Sequence, residues 1–100
     1  MDNFLNALNE KIIITNFSGE ILFCNYILLK KLKFNLSDIL NLHISNLVFE
    51  KEFSIKELCI NPCKESIINL LSKDDELIKF NITTTIDNYK GNSSLFIIFR

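Results

Sequence analysis

Glycine and proline are almost missing from this 100-residue chain, at two and one, and histidine and arginine occur once each. With so few glycines there is no loop able to cradle a phosphate, and a single histidine rules out a His-Glu-x-x-His metal motif. Ten lysines and one arginine, at the last position, face twelve acids for a formal charge of −1. Without a basic surplus to neutralise phosphates, nucleic acid is excluded as a partner. The three cysteines, Cys24, Cys59 and Cys63, are odd in number and unevenly spaced, which argues for reduced thiols and against a disulfide framework. No apolar run approaches the ~18 residues of a membrane-spanning helix, and Met1-Asp2-Asn3 opens without a basic, then apolar, leader. A soluble, cytoplasmic domain with no direct membrane contact is expected.

What is present is apolar. A hydrophobic content of 48% in 100 residues supports one domain with one core. The heavy use of Ile, Asn and Lys fits a low-GC coding bias as well as any structural demand. We expect a helical cap over 1–10 and a single domain over 11–100.

The segment from Lys11 to Leu32 carries the strongest local signals. Ile12, Ile13 and Ile14 form a β-branched run that ends at Asn16-Phe17-Ser18-Gly19, where Gly19 can take a positive φ. Glu20 to Cys24 is a second apolar run, so an antiparallel hairpin is the economical reading. Asn25 stands where a helix begins, with Leu28, Leu29 and Leu32 on one face and Lys30 and Lys31 on the other, and its side chain is expected to cap that helix.

Short helices should follow. Asn35 with Asp38 three residues on starts one over 36–40, and Asn41 suits a left-handed end. The irregular apolar spacing of 42–49 reads as a connector with Ile44, Leu47 and Val48 pointing inward. Ser54 and Glu57 form a second capping box, and Pro62 stops that helix near Ile60. The last third reads as three strands, 66–72, 76–86 and 93–100, joined by Lys73-Asp74-Asp75 and by a loop over 88–92. In the middle strand Ile78, Phe80, Ile82, Thr84 and Ile86 alternate with Lys79, Asn81, Thr83 and Thr85. The last strand is apolar on both faces, with Leu95, Ile97 and Phe99 opposite Phe96 and Ile98. Its second face needs a cover, which the Phe4, Leu5 and Leu8 stripe can supply.

In this order of elements the sequence resembles the PAS domain family along nearly its whole length. The family's Asp-x-x-Gly turn corresponds to 16–19, with Asn16 for Asp. Its Gly-Tyr-Ser-x-x-Glu-Leu-Leu-Gly segment corresponds to 33–41, where Lys33 and Asn41 replace both glycines. Its Lys-Asp-Gly hairpin is Lys73-Asp74-Asp75, and Ile98-Phe99-Arg100 is similar to the start of its closing Arg-Asp-Ile-Thr, one residue before the usual junction to an output module. The resemblance implies an α+β fold, a five-stranded antiparallel sheet with short helices on one face and an N-terminal helical segment. It also implies signal perception and homodimerisation in a signalling protein, foremost a sensor histidine kinase, and otherwise a transcriptional activator or cyclic-dinucleotide enzyme. The expected partners are a second copy, through Phe4, Leu5, Leu8, Phe96 and Ile98, and an output domain of the same polypeptide.

A ligand site between sheet and helices would be lined by Leu28, Leu32, Ile44, Leu58, Phe80, Ile82, Thr84, Ile97 and Phe99. This lining suits an uncharged apolar metabolite, or a core filled by its own side chains, which we favour. The photoactive flavin sites of the family need a cysteine in the stretch matching 42–47, and none is there. Haem needs a donor on the helix over 54–60, where Cys59 is the sole candidate and His43 lies elsewhere. Cys59 and Cys63 are separated by Pro62, and even with Cys24 they make three donors where structural zinc takes four, so no metal is expected. No catalytic residue is expected either. A stand-alone thiol redox protein is the competing class, and it lacks a histidine beside either Cys24 or Cys59 to activate the nucleophile.

Overall fold

The computed structural model describes residues 2–62 and 64–100, and the Cys63 reading lies outside them. Ten elements follow one another: α1 (Asp2–Ala7), β1 (Lys11–Thr15), β2 (Ile21–Cys24), α2 (Tyr26–Leu32), α3 (Leu36–Ile39), a 3-10 turn (Ile44–Asn46), α4 (Ile55–Ile60), β3 (Ser66–Leu71), β4 (Leu77–Tyr89) and β5 (Asn92–Phe99). The strands form a single antiparallel sheet in the order β2-β1-β5-β4-β3. The two ends of the chain therefore meet at its centre, where β1 pairs with β5 from Lys11↔Phe99 to Thr15↔Leu95.

The helices α2 to α4 cover one face. Leu28, Leu32, Ile39, Ile44, Leu58, Phe80, Ile82, Ile97 and Phe99 belong to one buried cluster there. Phe80 and Phe99 meet edge to face with centroids 5.5 Å apart, a geometry worth about 0.5–1.5 kcal/mol beyond burial. The other face has its own smaller cluster of Leu5, Ile12, Ile14, Phe23 and Tyr89, with Leu8, Leu22, Phe96 and Ile98 packed around it. The alternation in β1 and β5 divides each strand between the two clusters. A bulge in the β1–β2 ladder, between Ile14 and Thr15, lets Ile21 and Cys24 both face the helices while Phe23 faces the other way.

Several turns form as expected. Gly19 has φ +92, Asn41 φ +68, and Lys33 takes φ +65 at the end of α2, so the left-handed backbone persists where the family's glycines are replaced. Asp38 Oδ2 accepts from Asn35 N at 2.9 Å, and Ser54 Oγ from Glu57 N at 3.3 Å. Three expectations need correction. The loop over 88–92 contracts to a two-residue turn at Lys90 and Gly91, with φ +51 and +89, because Tyr89 pairs with Asn92 and buries its ring in the smaller cluster. Ile86 is exposed, since β4 outruns its cover beyond Thr84.

The third correction concerns Asn25. It occupies the N-cap position of α2 but makes no side-chain cap. Its Oδ1 accepts from Ile12 N at 3.0 Å, while Nδ2 donates to the carbonyls of Leu5, at 3.2 Å, and Glu10. A fully buried amide does better satisfying three backbone groups than one helix end. The first N–H of α2, that of Tyr26, donates instead to Asn6 Oδ1 at 2.7 Å.

Candidate functional site

Of the nine expected lining residues all are buried, and they lie together under the helices. Strand register sets Cys24, Ile13, Ile97 and Thr84 in one row across the sheet, facing the helices. Thr84 Oγ1 is buried in that row and finds no hydrogen-bond partner among the described residues. These side chains belong to the buried core between the sheet and the helices.

Open volume lies to one side. A cleft of about 170 Å³ runs between the segment Glu50–Leu58 and the outer part of β3. Leu58 and Ile82 are the expected lining residues that border it; the other seven do not. Its remaining walls are Glu50, Glu52, Phe53, Ser54 and Glu57 on one side and Ser66, Ile67 and Ile68 on the other. Glu50 is fixed there by Asn69, whose backbone N and Nδ2 donate to its two carboxylate oxygens at 2.8 Å each. Those bonds hold the Glu50 carboxyl below its ordinary pKa. Residue-by-residue reading misses these acids, because a glutamate on a short segment reads as solvated surface until a distant strand is set beside it. The Ser54–Glu57 cap is the one local signal that placed this helix start.

The second surface is built around α1. Leu5 is buried against the sheet, so of the residues expected at a dimer interface it serves the protomer's own core. Leu8, Phe96 and Ile98 are half-buried around it, and Phe4 projects with 64% of its surface exposed. Tyr89 Oη donates to Asp2 Oδ1 at 2.9 Å, and the Lys90 ammonium lies 3.7 Å from Asp2 Oδ2. Burial, then the bond to Asp2, pushes the Tyr89 hydroxyl up to about 12.

The thiols and the histidine stay apart from these surfaces. Cys24 and Cys59 are free, and burial raises both above the ordinary thiol value, Cys24 far more. His43 Nδ1 accepts from Ser45 N at 3.1 Å and lies 2.7 Å from Ser45 Oγ, which caps the 3-10 turn. Among the described residues no group of three or more His, Cys, Asp or Glu side chains could hold a metal. Nor is any helix among them long and apolar enough to cross a membrane.

No model of a known protein family and no curated protein matches the sequence. Solved structures do. The PAS domain of a Desulfitobacterium hafniense protein superposes with a TM-score of 0.85 at 21% identity, over 98% of this chain and 97% of that one. The chain has the PAS fold. A PAS domain from a two-component sensor histidine kinase gives a TM-score of 0.85 at 9% identity, over 99% and 90% of the two chains. The PAS domain of nitrogen regulation protein NR(II) from Vibrio parahaemolyticus gives 0.75 at 12%, over 99% and 94%. The near-complete coverage in both directions means that α1 and all five strands have counterparts in other PAS folds.

Proposed function

We propose that this chain is a sensory PAS module of a signal-transduction protein, foremost a sensor histidine kinase, and that it works as a homodimer joined through α1 and the outer face of the sheet. The observation that carries the reading is the position of α1. It lies on the face opposite the other helices, is tied down by Asn25, Asn6 and Tyr89, and presents Phe4 beside the half-buried Leu8, Phe96 and Ile98. Solved PAS domains of like shape come from a sensor histidine kinase and from a nitrogen regulation protein, which supports the parent class.

In this reading the domain performs no bond chemistry and passes a change of shape or association to an output domain of the same polypeptide. The reading includes no photoactive flavin, since 42–47 contains no cysteine, and no histidine-ligated haem, since α4 contains no histidine. The apolar side chains between sheet and helices fill that role themselves, and an uncharged metabolite would have to displace them. Native mass spectrometry of the purified domain, with an absorbance scan, tests the reading. A dimer without visible absorbance is expected. A monomer at every concentration, or a retained chromophore, contradicts it.

A further inference from the structure

The outer edge of β3 is guarded along half its length only. Val48 bridges Leu70, Leu71 N donates to Leu47 O at 2.8 Å, Phe49 N donates to Asn69 O at 2.9 Å, and Glu50 takes the N–H of Asn69. From Glu50 onward the chain turns away toward α4, and the cleft opens beside Ser66, Ile67 and Ile68. In β3 the residues Ser66, Ile68 and Leu70 face the helices and Ile67, Asn69 and Leu71 face outward, while the edge-directed peptide groups are those of Ile67, Asn69 and Leu71. Those of Asn69 and Leu71 are engaged; no described residue on that edge bonds to Ile67. Unguarded strand edges are normally blunted by lysine, proline or a covering loop, and Ser66–Ile68 has none of these.

The surroundings of this free edge have one sign. Glu50, Glu52 and Glu57 line the cleft, and Glu65 lines a shallower hollow that adjoins it through Ser66 and Ile67. No lysine borders either, although Lys51, Lys56 and Lys64 lie in the same stretches of chain. Among the described residues none of the four acids has an ion-pair partner. The floor beneath them is apolar, made of Phe53, Leu58, Ile68 and Ile82.

We propose that this fork is a docking site for an extended basic segment of a partner protein, which adds as a short strand to β3 at Ile67. An added strand sends alternate side chains to opposite faces. One apolar side chain would enter the cleft over Leu58, Ile68 and Ile82, and a lysine or arginine two positions before and after it, on the same face, would reach the carboxylates of Glu52 and Glu57. Backbone bonds to Ile67 supply the register, the cleft selects the apolar residue and the acids select the charge of its flanks.

The experiment titrates the isotope-labelled domain with a lysine-threonine-leucine-threonine-lysine peptide, which when extended sets both lysines on the face of the leucine, and with the matching glutamate-threonine-leucine-threonine-glutamate peptide. The basic peptide should shift the amides of Ser66 to Ile68, Phe53 and Glu57, slow hydrogen exchange at Ile67 and bind more weakly as salt rises. The acidic peptide should do none of these. Glu52→Lys with Glu57→Lys, both exposed, should weaken binding at least tenfold. Ile67→Pro, which deletes an N–H that no strand of the sheet uses, should abolish it while the remaining spectrum keeps its native dispersion. Equal binding of both peptides, unchanged binding in the double lysine variant, or displacement of the peptide by a simple alkylamine that occupies the cleft alone would overturn the proposal. None of these outcomes bears on the oligomeric state, so the dimer reading is tested separately.

Discussion

Gly19 lies under the imidazole ring of His43, so close that a Cβ at position 19 would stand 2.8 Å from Cε1 and 3.0 Å from Cδ2. The same pair of segments is stitched by Ile44 N donating to Gly19 O at 2.8 Å and by a bridge between Glu20 and His43. The β1–β2 turn and the connector that carries Ile44 into the core are thus one unit, and the glycine serves two ends: its φ of +92 and its missing side chain.

Gly19→Ala should destabilise the fold by more than the ~1–2 kcal/mol expected from the backbone conformation alone. Urea unfolding of Gly19→Ala and of Gly19→Ala with His43→Ala separates the causes. The double variant should recover the steric part and keep the conformational part, giving a coupling outside the range of independent sites.

Asn25→Ala leaves Ile12 N and the Glu10 carbonyl without the side-chain partner, and the Leu5 carbonyl with Leu8 N alone, at a loss of about 2 kcal/mol. Because two of these bonds hold the N-terminal segment, hydrogen exchange should rise first in α1 and only afterwards in β3 and β4. Uniform exchange throughout would show that α1 and the sheet open together.

How much of this was legible in the sequence depends on the range of the interaction concerned. The Ile12–Ile14 run, the alternation from Ile78 to Thr84, the Ser54 cap and the Pro62 stop are local signals, and each marks its element. The two-faced β5 implies a cover, and α1 supplies part of it, with Leu5 buried on that face while Phe96 and Ile98 stay half-buried. The capping expectation for Asn25 fails because its partners lie 13 to 20 residues away, beyond any capping pattern. Tyr89 reads locally as loop because its burial depends on Phe23 and Phe96, with ring centroids 6.1 and 6.4 Å away. The bulge at Ile14 and Thr15 has no glycine to announce it. The cleft could not be read at all, since it exists only where two stretches that pair at Val48 and Leu70 part company. Eight of the nine expected lining residues share one buried cluster, with Thr84 beside Ile97 in the sheet, and the open space lies at their margin beside Leu58 and Ile82.

Tyr89 links the α1 surface to pH. The folded chain holds this phenolic proton more tightly than the unfolded chain, where the value is near 10.0, so its contribution is intact below that pH and is lost as pH climbs through about 12. Unfolding midpoints measured from pH 8 upward should fall in that window. In Tyr89→Phe, which loses the bond to Asp2 but keeps the ring, this part of the fall should vanish.

Thiol labelling separates the sensory reading from a thiol enzyme. Burial raises Cys24 and, to a smaller extent, Cys59, so neither should react quickly below neutral pH, and Cys24 should label only on unfolding. Fast labelling of either residue at pH 6 would restore the redox reading.

The most direct test of the central claim is sedimentation equilibrium of the wild-type domain beside Phe4→Glu. Phe4 is exposed and outside the buried clusters, so a charge there leaves the protomer folded while setting an acid in the proposed contact. Dimeric wild type and a folded, monomeric variant are the predicted result. A wild-type monomer, or a dimer that Phe4→Glu does not weaken, would contradict the account.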